Sequence, residues 1–280
     1  KDINLSLNYI LILLNRKQFS FKTLKYLNLT KNNLHDSECC IIIQLVEAFS
    51  VNLEHLNLSY NRFSTKTASV LSSMIEKGTC KLKSLNINGN NLGDHNFSEF
   101  SIGLSKNLYL TKLWLADNNL GKISLIILGT ILRYDKKLIL LDLSSNEFND
   151  DVIIYIFKGL ISNSSLRVIY LNNLGLTKKS VDILETSMYI NSCLKELYLE
   201  NNKLNNKSCE ILVRVLNKNR TLDLISLVGN PIDSDGIDAI TDNYKQLAKI
   251  KYINKIEANQ RKFGMLNNNK LELLQYFGDR

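Results

Sequence analysis

The stretch Leu110-Thr-Lys-Leu-Trp-Leu-Ala-Asp-Asn-Asn-Leu120 constrains this chain most, because its pattern returns at a fixed interval along nearly the whole sequence. Leu110, Leu113, Leu115 and Leu120 with Asn118 spell LxxLxLxxNxL. The pattern also opens at Leu24, Leu53, Leu82, Leu138, Leu166, Leu194 and Leu222, with starts 28 or 29 residues apart. A unit of that length is too small to close a core alone. Each must lay its apolar face on its neighbours, so the chain is expected to form a solenoid of repeated strand-plus-helix units.

The local periods agree. In each unit period-two alternation sends residues such as Leu85 and Ile87, or Leu113 and Leu115, to one face as in a strand. The spacing then changes to three and four, as an amphipathic helix requires: Ala68/Leu71/Ile75, Phe97/Phe100/Leu104, Leu125/Leu128/Leu132, Ile153/Ile156/Leu160, Val181/Leu184/Met188, Cys209/Leu212/Leu216 and Ile237/Ile240/Tyr244. A length of 280 residues would ordinarily suggest about two domains, but the unbroken period argues for one elongated domain. Residues 1–23 are read as a partial, capping repeat, 24–249 as eight complete units, and 250–280 as a degenerate repeat followed by a capping helix over Met265 to Phe277.

One Asn per unit (Asn32, Asn61, Asn90, Asn118, Asn146, Asn202, Asn230) is expected to hold the loop beside each strand, since its amide both donates and accepts. Leu174 breaks this ladder. Either the sixth unit tolerates drift with a slightly shifted loop, or the chain has a bend or contact point there.

The period and the outer helix resemble the ribonuclease-inhibitor-like leucine-rich-repeat subfamily, over about nine tenths of the chain. The resemblance implies an α/β leucine-rich-repeat solenoid: a right-handed horseshoe with a parallel sheet on the concave face and helices on the convex face. Relatives of that kind include ribonuclease inhibitor, NOD-like receptor sensors, actin-regulatory and axonemal scaffolds, and the Ran GTPase-activating protein. Most of them bind other proteins, but the fold alone does not fix a function.

On the concave side the fifth position of each unit runs Asn28, Asn57, Asn86, Trp114, Asp142, Tyr170, Tyr198, Ser226. At the usual strand spacing, Trp114 to Tyr198 form a stripe roughly 14 Å long. Lys112, Leu140, Val168 and Glu196 lie alongside at the third position. Aromatic residues with apolar flanks and a few charges characterise interface centres. These eight residues are the expected partner-binding site, and the partner is expected to be a protein. Asn28, Asn57 and Asn86 are expected to contribute little to it.

Other functions find less support. The formal net charge of +8 raises nucleic acid, yet this half of the concave face is not basic. The excess lies on helices and ends, at Lys245, Lys249, Lys251, Lys255, Arg261 and Lys262, where a solvated face is the simpler reading. An apolar run such as Tyr9 to Leu14 falls far short of the roughly 18 to 20 residues that span a bilayer. Cys39, Cys40, Cys80, Cys193 and Cys209 are odd in number without CxxC spacing, so free thiols and an intracellular, cytoplasmic setting are expected, compatible with nuclear or cytoskeletal and axonemal association. Beginning at Lys1, the chain is read as part of a longer protein.

No catalytic, cofactor or metal site is expected: His35, His55 and His95 belong to different repeats, and no phosphate loop or nucleophile elbow is present. Arg62, after Asn61, supports an alternative, a small-GTPase regulator, because the Ran GTPase-activating relative also uses an early-loop arginine. Its surroundings, Asn-Arg-Phe-Ser, match that relative poorly.

Overall fold

The computed structural model describes residues 2–4, 23–49 and 52–244. Nine strands and eight helices lie among them: β1 (Asp2–Asn4), β2 (Tyr26–Asn28), α1 (Asp36–Phe49), β3 (His55–Asn57), α2 (Thr65–Lys77), β4 (Ser84–Asn86), α3 (Gly93–Leu104), β5 (Lys112–Trp114), α4 (Lys122–Tyr134), β6 (Leu140–Asp142), α5 (Asp150–Ser162), β7 (Val168–Tyr170), α6 (Lys178–Ile190), β8 (Glu196–Tyr198), α7 (Asn206–Lys218), β9 (Leu224–Ser226) and α8 (Ser234–Tyr244). Residues 250–280, with the capping helix expected there, and the six basic residues from Lys245 to Lys262 lie outside the described residues. So does most of 1–23.

The strands form one parallel sheet in chain order. Ile3, Leu27, Leu56, Leu85, Leu113, Leu141, Ile169, Leu197 and Ile225 share one line across it, as the period predicts. From Leu27 onward these residues are buried, and so are the helical triplets from Ala68 to Ile240. One core therefore runs between sheet and helices. Neighbouring strands need only about 4.8 Å, whereas packed helices need 8–10 Å. Stacking one of each per unit curves the molecule with the sheet inside.

Asparagines hold both margins. Asn118, fully buried, donates from Nδ2 to the Ile87 and Ala116 carbonyls (2.9 and 3.0 Å) and accepts at Oδ1 from Asn90 N (3.1 Å). At the break, Leu174 is buried in the core, and its N–H and that of Leu176 reach Asn202 Oδ1 at 3.0 and 3.1 Å. Asn118 N and Leu120 N reach Asn146 Oδ1 in the same manner, both at 3.0 Å. The loop of the sixth unit thus keeps register rather than shifting. A second ladder, missed in the sequence, runs through Asn163, Asn191 and Asn219 after α5, α6 and α7. Each accepts from the N–H that opens the next unit, at Leu166, Leu194 and Leu222, and donates back to a carbonyl of the preceding unit.

Consecutive helices are joined by two alternating devices. In the first turn of the odd-numbered helices, Asp36, Asp94 and Asp150 cap the helix of the next unit. Asp94 accepts from Gly121 N (2.8 Å), Ile123 N (3.1 Å), Ser124 N (3.0 Å) and Ser124 Oγ. Asp36 serves Ser64 and Thr67, and Asp150 serves Thr177 and Ser180, in the same way. Asn206 pairs with Asp233 at the last such joint. Two of the three joints between carry close glycine contacts instead. A Cβ on Gly103 of α3 would sit 1.9 Å from the Ser72 carbonyl of α2, and one on Gly129 of α4 would sit 2.2 Å from the Tyr155 carbonyl of α5. Between α6 and α7 the corresponding contact is an ion pair, Arg214 to Glu185 at 2.7 Å.

Candidate functional site

On β5 to β8 the central residue of each strand is buried, so the two flanking residues face the concave surface. Strand register sets Trp114 beside Asp142, Asp142 beside Tyr170 and Tyr170 beside Tyr198, with Lys112, Leu140, Val168 and Glu196 as a parallel row. All eight residues expected from the sequence therefore lie on four adjacent strands. The Tyr170 and Tyr198 rings stack with centroids 4.3 Å apart and planes 16° from parallel. Tyr198 also donates its hydroxyl to Glu196 Oε2 at 2.9 Å. Burial raises the pKa of both phenols, so both hydroxyls stay protonated.

The aromatics depend on residues that sequence reasoning missed. Two residues after the fifth position, each unit has a backbone N–H that needs an acceptor. Asn28, Asn57, Asn86 and Asp142 supply it from their own Oδ1, to Thr30, Ser59, Asn88 and Ser144, all at 3.0 Å. Trp114, Tyr170 and Tyr198 cannot accept in that way. The preceding unit takes over: Asn88 Oδ1 accepts from Ala116 N (2.8 Å), Ser144 Oγ from Asn172 N (3.2 Å) and Asn172 Oδ1 from Glu200 N (2.7 Å). The signal for these residues was the polar side chain one unit before each ring.

Asp142 sits in this column half-buried, and burial raises its carboxyl above the ordinary range, against the lowering effect of Ser144. No ion pair reaches it among the described residues. Beyond the strands the loops form a polar groove of about 530 Å³ whose lining includes Asp117, Asn119, Glu147 and Asn173.

A family model described as Leucine Rich Repeat matches residues 52–74, and a second, Leucine Rich repeat, matches 22–37 and 79–95. The fold is a leucine-rich-repeat solenoid. Among solved structures, a Bacteroides fragilis protein from a structural genomics consortium shares 14% identity at a TM-score of 0.56, covering 87% of this chain and 71% of that one. Leiomodin-1 actin-binding site 2 shares 18% identity at a TM-score of 0.43, covering 49% of this chain and 82% of that one. No curated protein matches the chain.

Elsewhere on the leucine-rich-repeat surface the sequence candidates stay apart. Arg62 is exposed on its loop, held by a bond from its N–H to the Leu34 carbonyl at 2.8 Å. His55 stacks on Tyr26, centroids 4.2 Å apart, and burial lowers its pKa. His35 donates its N–H to Glu38 Oε2 at the start of α1. Among the described residues no group of three or more His, Cys, Asp or Glu side chains could hold a metal, and no helix is long and apolar enough to cross a membrane. The five cysteines are free thiols.

Proposed function

We propose that this protein is a non-enzymatic interaction scaffold that holds a protein partner on the concave face of its fourth to seventh repeats, through Lys112, Trp114, Leu140, Asp142, Val168, Tyr170, Glu196 and Tyr198. One observation carries the reading: a column of rings that faces solvent and is already ordered by the Tyr170–Tyr198 stack. Ordered aromatic side chains lose little freedom on binding, and Trp and Tyr are enriched where interface energy concentrates. Leucine-rich repeats themselves suggest an interaction scaffold. Helices of 11 to 14 residues in every described unit support the ribonuclease-inhibitor-like branch, and the pairing of Ile3 with Leu27 supports a capping role for residues 1–23. Free thiols support an intracellular, cytoplasmic setting.

Affinity capture from extract, with the wild type and with Trp114→Ala, Tyr170→Ala and Tyr198→Ala, tests the reading against Arg133→Ala on the exposed surface of α4. The most damaging stripe variant is expected to weaken a captured partner by about 2 kcal/mol, with unfolding unchanged. Equal retention by all variants would remove the stripe as the site. A captured GTPase whose hydrolysis accelerates, and no longer does so with Arg62→Ala, would replace the scaffold by a regulator.

A further inference from the structure

The chain carries a formal net charge of +8, yet the stripe lies in an acidic setting. On β5 to β8, with the residue before and the three residues after each strand, Asp117, Asp142, Glu196 and Glu200 stand against Lys112, Arg167 and Lys195, and Lys195 is already paired with Asp223. Glu196 accepts from the Tyr198 hydroxyl and Glu200 from Ser226 Oγ, both neutral donors. None of the four acids has an ion-pair partner among the described residues.

Asp142 is the informative member. The fold needs only an acceptor there, for Ser144 N, and Asn meets the same need at Asn28, Asn57 and Asn86. A half-buried charge in place of an amide costs stability and returns nothing to the fold. Its neighbours in register are Trp114 and Tyr170, and the apolar Leu140 and Val168 lie in the adjacent row. Strand spacing sets the two aromatic positions roughly 10 Å apart, room for one inserted side chain. A carboxylate between two aromatic residues matches a guanidinium group, which pairs with carboxylate through two parallel N–H bonds and lies flat on rings; an ammonium does neither as well.

We propose that the stripe recognises an arginine of the protein partner, its guanidinium on the Asp142 carboxylate and its stem between Trp114 and Tyr170, in a segment with apolar neighbours for Leu140 and Val168. This rests on the concave face being the partner site, and it adds what the partner must present.

Trp114 is the chain's single tryptophan, so its indole reports on the site without labelling elsewhere. Titration with acetyl-leucyl-arginyl-leucine amide, followed by the indole N–H signal in NMR, is expected to saturate. The lysine peptide should bind more weakly, and the norleucine and glutamate peptides should leave the signal in place. Asp142→Asn keeps the bond to Ser144 and the fold; it is expected to weaken the arginine peptide at least fivefold. No saturable shift with the arginine peptide, or equal affinity for Asp142→Asn, would overturn the proposal. If a captured partner is lost by Trp114→Ala yet held unchanged by Asp142→Asn, arginine recognition fails while the concave-face reading stands. A partner indifferent to both overturns both.

Discussion

At position 142 a single oxygen atom separates what the fold needs from what the chain carries. Burial raises the folded pKa of this carboxyl above its unfolded value of about 3.9. The folded state therefore holds the proton more tightly than the unfolded state. The resulting stabilisation is complete below about pH 3.9 and is lost as pH rises through the raised folded value. Asp142→Asn is accordingly expected to melt above the wild type at pH 7, by roughly 2–4 °C for an effect of about 1 kcal/mol, and the gap should close toward pH 3. Melting curves of both proteins at the two pH values check it. The column containing Asp142 was legible in the sequence, because a fixed period aligns equivalent positions without coordinates. The role of Asn28, Asn57 and Asn86 was not, nor that of Asn88, Ser144 and Asn172. A sequence shows which residues can accept a hydrogen bond, but which N–H lies within reach, in the same unit or the next, depends on strand register. The three asparagines are therefore working turn residues and poor neutral controls for the rings.

Between elements, the helix joints make opposite demands on substitution. Gly103→Ala places a methyl group against the Ser72 carbonyl, a backbone atom that can retreat only if α2 and α3 separate. A loss of about 3 kcal/mol is expected in urea unfolding, although alanine favours a helix more than glycine does. Asp94→Ala removes the cap of α4 and should cost about 2 kcal/mol at neutral pH. Its pH dependence runs opposite to that of Asp142. Burial raises the Asp94 carboxyl, but hydrogen bonds from Ser124, Gly121 and Ile123 together outweigh it and hold the pKa below the ordinary value. That stabilisation is present above about pH 3.9 and is lost as pH falls through the depressed folded value. The cost of Asp94→Ala should therefore shrink in strong acid, and a constant cost would assign it to packing. The thirteenth residue of successive units reads Asp36, Thr65, Asp94, Lys122, Asp150, Lys178, Asn206, Ser234. The alternation was present in the sequence, but the leucine pattern is the same in every unit and drew attention away from it. The close approach at Gly103 has no sequence signature apart from a glycine inside a helix.

Across the whole molecule, the continuous core shields four of the five thiols distributed along it. Burial pushes Cys39 and Cys209 up to about 12 and raises Cys80. Cys193 is buried with its Sγ donating to the Asn163 and Leu166 carbonyls. Cys40 alone is half-buried. Alkylation of the native protein at pH 8, read by peptide mass spectrometry, is expected to modify Cys40 first and the other four only as units open. Because each unit leans only on its neighbours, opening starts at the ends, and Cys39 should react before Cys193. A simultaneous burst at all five would mean one all-or-none opening. The alternating joints have a consequence for how such a gene can grow. Duplicating the unit of α3 alone would set two Asp94-type helix starts side by side, and the first carboxylate would meet Gly93 and Asn96 of the copy in place of Gly121 and Ser124. Duplicating the units of α3 and α4 together keeps the Asp94 joint in both copies. Through this middle stretch the pair of repeats is the length that can be copied with its helix cap intact, because Asp94 and the helix start that receives it travel together.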